Sequence, residues 1–160
     1  NPEILLLYAG FSVENDSLKT ELFKKAYSID PLSPLTIERL SWNYYGNDQW
    51  LKAQELAEKN VTINPDYVKS HRNLVTLLRD SPNGKLDEAF ISAYAAYKQF
   101  PENLVILSEL AYTAHDLHLY NLVDNLIEKV TLLYPKNDDI IEIKYDNYFH
   151  QNDIKNFLKI

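Results

Sequence analysis

Apolar residues recur at three- and four-residue spacing along most of this chain, and short polar turns interrupt them at regular intervals. Leu104, Leu107, Leu110, Ala111 and Ala114 share a helical face, as do Leu119, Leu122, Val123, Leu126, Ile127 and Val130. Leu86, Ala89, Phe90, Ala93 and Ala96 repeat the pattern, and so do Leu18, Leu22, Phe23 and Ala26. Asn15-Asp16-Ser17, Gly46-Asn47-Asp48 and Asp80-Ser81-Pro82-Asn83-Gly84 separate such runs with turn chemistry. No stretch alternates cleanly, and the β-branched residues are scattered. The pattern predicts an all-α chain of about ten helices.

A ladder of prolines orders these helices. Pro31, Pro65, Pro101 and Pro135 stand 34, 36 and 34 residues apart, each after an apolar helix end. Proline lacks the amide hydrogen and clashes with the preceding turn, so a helix stops there. Twelve residues before each proline stand Lys19, Ala53, Ala89 and Val123, three of them small or β-branched, as close helix packing requires. The two extra residues of the third interval belong in the Asp80–Gly84 turn.

The stretch from Pro34 to Pro65 shows the unit most clearly. Ile37, Leu40, Ser41 and Tyr44 lie on a first helix, Ala53, Ala57 and Asn60 on a second, and Pro65 closes it. This layout and the interval of about 34 residues resemble the tetratricopeptide repeat. The resemblance implies a right-handed superhelix, an α-solenoid of stacked helix pairs, with first helices on the concave side. The units expected are 1–31, 32–65, 66–101, 102–135 and a partial 136–160, forming one domain of a larger protein. A shorter motif, Ala26-x3-Asp30-Pro31-Leu32-Ser33-Pro34, resembles a junction in repeat domains of bacterial membrane-anchored winged-helix regulators. It implies an alternative role as the regulatory or sensor part of such a protein.

Composition narrows the function classes. The 160 residues carry a formal net charge of −7, with a pI near 5.0. That balance argues against direct binding to nucleic acid, which needs clustered Lys and Arg. Cysteine is absent, so disulfides and thiolate metal sites are excluded, and cytoplasm and periplasm fit equally. The longest apolar run, Ile4 to Leu7, falls far short of the roughly 20 residues a spanning helix needs, so no membrane insertion is expected. Apolar residues at both ends, Ile4 to Leu7 and Ile154, Phe157 and Leu158, lead to an expectation of end-to-end self-association or continuation into further structure.

The candidate chemistry is that of a binding surface. Lys69, Arg72, Thr76 and Arg79 share one helical stripe, although folding needs no such cations. By resemblance, the groove also takes Tyr8, Phe11, Trp42 and Tyr45 at one end, and Tyr112, His115, Glu142 and Asp146 towards the other. Aromatics beside Arg are typical binding anchors. Some family members grip a terminal carboxylate with Lys, Asn and Arg spread over three units. Here Lys69, Arg72 and Asn73 share one helix and Glu38 and Trp42 precede them, so the pattern departs. His115 and His118 supply two ligands where a metal site needs three or four, so neither metal nor cofactor is expected. The sequon Asn60-Val61-Thr62 falls within a predicted helix. No nucleophile elbow, phosphate loop or catalytic carboxylate pair stands out. The reading is a non-catalytic scaffold for a protein or peptide ligand.

Overall fold

The prolines set where the helices stop. The computed structural model describes residues 1–11 and 16–136, together with Lys144 and Asn147. Among the described residues it has eight helices: α1 (Pro2–Phe11), α2 (Asp16–Ile29), α3 (Pro34–Gly46), α4 (Trp50–Ile63), α5 (Val68–Arg79), α6 (Leu86–Gln99), α7 (Leu104–Asp116) and α8 (Tyr120–Leu133). The even-numbered helices end two residues before Pro31, Pro65, Pro101 and Pro135. Asn64, Phe100 and Tyr134 leave helical geometry just before the proline, with nearly the same φ (−129°, −126°, −133°). Each still donates its amide to the carbonyl four residues back, at 2.8 Å in all three cases.

The turns inside each pair share another device. Asp48, Gly84 and His118 all have positive φ (57°, 68° and 59°), and each stands two residues before the next helix. The chain therefore passes through the left-handed region at one fixed point, where only glycine is free of a Cβ penalty. Gly46, the glycine expected to make the second unit's turn, ends α3 instead. The longer third turn, residues 80–85, holds the extra residues where the sequence places them.

Packing explains the stack. Ala53 and Ala57 on α4, and Ala89, Ala93 and Ala96 on α6, are buried where a large side chain would hold helices apart. Ser41 donates its hydroxyl to the Ala53 carbonyl at 2.8 Å, which marks how closely α3 approaches α4. Each odd helix after α1 packs on the even helix before it and on its own partner. Odd helices also touch one another along the stack, while the even helices, among the described residues, stay further apart. A stack closed on one side and splayed on the other must curve, and it forms a right-handed superhelix with the odd helices inside.

Polar side chains fasten the splayed side. Lys59 on α4 donates to the Tyr27 hydroxyl on α2 at 2.6 Å, and Lys129 on α8 does the same to Tyr97 on α6 at 3.1 Å. Between α4 and the third unit, Lys85 bonds Gln54 instead, at 2.9 Å. The end of each second helix also reaches back to the previous proline loop: Asn64 to Leu32, Gln99 to Pro65 and Tyr134 to Glu102. Asn60 is fully buried, and its amide donates to Pro34 at 3.0 Å, so the sequon is structural. Asn147 is buried and donates to Asp124 on α8 at 2.6 Å. The rest of the expected fifth unit lies outside the described residues. At the other end Ile4 and Leu7 are well exposed.

Two substitutions test this packing. Ala89→Leu should overpack the contact within its pair and cost about 1–3 kcal/mol in equilibrium unfolding; a neutral variant would contradict the close approach. Asp48→Gly should relieve the left-handed conformation and raise stability by about 0.5–1 kcal/mol, whereas a loss would mean the carboxylate supports the turn.

Candidate binding groove

The concave surface is built from the exposed stripes of α3, α5 and α7. At its N-terminal end Trp42 and Tyr45 meet edge to face, with ring centroids 5.4 Å apart, and Tyr45 meets Trp50 at 4.7 Å. The Tyr45 hydroxyl donates to Asp80 at 2.8 Å, across from α3 to the end of α5. That bond, reinforced by burial, raises the phenol's pKa above its ordinary value. Asp80 also pairs with its neighbour Arg79 at 3.3 Å.

The centre of the groove holds a carboxylate that the sequence pattern alone did not flag. Glu109 on α7 is almost entirely buried, and it pairs with Arg79 at 3.4 Å and with Arg72 at 3.5 Å. Burial pushes its pKa up, the nearby Asp80 carboxylate adds to this, and together they outweigh the two arginines and the Thr76 hydroxyl, which all pull it down. Arg79 also lies over the Tyr112 ring, 5.5 Å from its centroid. A hollow of about 200 Å³ opens beside these groups, with Arg72, Ser108, Glu109 and Tyr112 in its wall.

The predicted site residues therefore divide. Tyr45, Arg72, Thr76, Arg79 and Tyr112 come together around Asp80 and Glu109. Trp42 joins them through Tyr45. Lys69 is exposed and has no ion-pair partner among the described residues. Tyr8 is more than half exposed on α1, outside this network. His115 is half-buried at the end of α7, 3.9 Å from Asp116, and His118 turns to the Tyr120 hydroxyl at 2.8 Å. Among the described residues no cluster of three potential metal ligands forms. Glu142, Asp146 and the Phe11 side chain lie outside what is described.

The cations of the predicted stripe are therefore unequal. Two of its three cations share one buried acid, and only Arg72, with its side chain 56% exposed, presents much of its guanidinium to the groove. Glu38, on the first-helix stripe of the preceding unit, is buried and accepts from Tyr67 at 2.6 Å. Burial, then that bond, raises the Tyr67 pKa. Asn73, one residue from Arg72, is fully buried with both amide atoms unpartnered. Glu109 sits three residues before Tyr112 on one helical stripe, a spacing that could have flagged it.

No known family pattern and no curated protein matches this chain. Solved structures do. The thermophilic tetratricopeptide-repeat protein TTC0263 of Thermus thermophilus is 15% identical, with a TM-score of 0.78 over 99% of this chain and 87% of its own. MamA from Desulfovibrio magneticus RS-1 is 9% identical, with a TM-score of 0.76 over 99% and 89%. Another MamA structure is 17% identical, with a TM-score of 0.67 over 85% and 80%. Among the described residues no helix is long and apolar enough to cross a membrane. Helix order, proline stops and these likenesses agree: the chain has the tetratricopeptide-repeat fold.

Proposed function

We propose that this chain is a non-catalytic scaffold that binds an extended peptide or protein segment along its concave groove, with an acidic group of the ligand at Arg72. The carrying observation is the state of that arginine. Glu109 holds it at Nε, and more than half of the side chain faces solvent. A guanidinium positioned at one edge and open at the other suits a ligand carboxylate or carbonyl, with little ordering left to do on binding. Lys69 adds charge one turn earlier. Trp42 and Tyr112 supply rings that a ligand can desolvate. Binding is where the fold helps most, because stacked first helices make a long continuous surface.

Glu109 sets the strength of this site. It occupies the cations that a ligand acid would otherwise meet, so it competes with the ligand from inside the protein.

The test begins with peptides selected from a random library on the purified chain. They should carry an acidic residue at a fixed position, and Arg72→Glu should weaken them by about tenfold or more while Tm stays nearly constant. Trp42→Ala should weaken them too. Selected peptides that bind both variants as well as the parent would place the binding surface elsewhere.

Glu109→Gln gives a second test. The variant should bind the same acidic peptides more tightly. Because burial raises the folded pKa of Glu109, the folded state takes up its proton at a higher pH than the unfolded chain does. The associated stability is present below the unfolded value and is lost as pH rises through the folded one. Glu109→Gln should therefore be at least as stable as the parent at neutral pH, with its advantage shrinking as the parent is acidified. Urea unfolding at several pH values reads this. A variant destabilised at neutral pH would show that the two ion pairs outweigh burial.

A further inference from the structure

A second hollow lies at the N-terminal end of the stack, between the end of α1, the first half of α2 and the stretch from the middle of α3 to Asn47. Its volume is about 270 Å³. That is near the lower limit for small-molecule sites and suits a ligand of a few heavy atoms rather than a long chain. Lys19 and Arg39 bring two cations to it, and Asp16 brings one carboxylate. Among the described residues, none of these three side chains is engaged in an ion pair or hydrogen bond. Asn43 also lines the hollow, and its Oδ1 is buried without a donor. Trp42 and Phe23 supply apolar wall.

We propose that this hollow binds a free α-amino acid. The mixture of charges decides the class. A simple anion would suit Lys19 and Arg39 but would face the Asp16 carboxylate. A simple cation would meet the reverse conflict. A zwitterion satisfies both sets: its carboxylate takes the Arg39 fork and Lys19, and its ammonium takes Asp16 and the acceptor on Asn43. That oxygen is buried in the free chain, so the Asn43 amide turns towards the hollow as the ligand's ammonium arrives. An unsatisfied buried acceptor is costly, so a donor arriving with the ligand removes a penalty. The amino acid's side chain lies against Trp42 and Phe23.

Two glycines leave the space open. Gly10 and Gly46 both line the hollow, and a Cβ added at either would meet no atom within 4 Å beyond its own stretch of helix, so larger side chains there are tolerated beside the hollow. The hollow borders the groove at Trp42, but amino-acid binding does not require that the groove hold a peptide.

The experiment uses the whole chain and the twenty proteinogenic L-amino acids, each added singly at millimolar concentration, with thermal shift and titration calorimetry as readouts. At least one should raise Tm and bind with one-to-one stoichiometry. Its carboxamide and its deaminated acid should each bind about tenfold or more weakly, because each loses a charge-assisted contact. Arg39→Gln should cause a similar loss, with Arg39→Lys recovering part of it. Gly46→Leu should abolish binding and leave the circular dichroism spectrum unchanged. No response to any of the twenty would overturn the proposal. So would binding that survives both Gly46→Leu and Arg39→Gln, or that does not discriminate against the carboxamide.

Discussion

A helix pair of this length cannot bury its apolar stripe alone, and the architecture follows from that constraint. Each pair needs a neighbour, and the neighbour can approach only where side chains are small. Ala53 and Ala57 on α4, and Ala89, Ala93 and Ala96 on α6, meet that need. The ladder prolines serve the same end. By stopping every second helix at one distance from the next unit, they keep the small positions in register from pair to pair. Asn64, Gln99 and Tyr134 then reach back to the previous loop with three different side chains.

Curvature turns this packing into a long concave surface. Odd helices touch each other and even helices splay, so the polar stripes of α3, α5 and α7 converge on one concave face. Convergence also carries an electrostatic cost. Arginines brought together there need an acid, and Glu109 supplies it from the next unit. The buried carboxylate holds Arg79 inward over Tyr112 and leaves Arg72 turned outward. Groove shape and groove charge are thus consequences of the same stacking.

The periodic part of this structure was legible in the sequence because local chemistry enforces it. A proline stops a helix wherever it stands, and the four ladder prolines give helix ends without any knowledge of the tertiary fold. The stripe of Lys69, Arg72, Thr76 and Arg79 was legible for the same reason, since helical geometry alone aligns it. Pairings between units were not legible. Glu109 meets Arg79 across 30 positions, and only the superhelical rotation decides which neighbour it faces. The turn chemistry misled for a different reason: Gly46 attracts attention, but Asp48 and His118 occupy the left-handed position, which polar side chains tolerate. The hollow at Lys19 and Arg39 depends on how α1 and α2 lie against α3, which no local pattern fixes.

The concave face as the working surface is the account's central claim, and backbone amide chemical shifts test it most directly. The isotopically labelled chain would be titrated with a library-selected acidic peptide. The account predicts that the largest perturbations fall on α3, α5 and α7, centred on the residues around Arg72 and Glu109. Perturbations concentrated on α4, α6 and α8, with the Arg72 region unchanged, would contradict it.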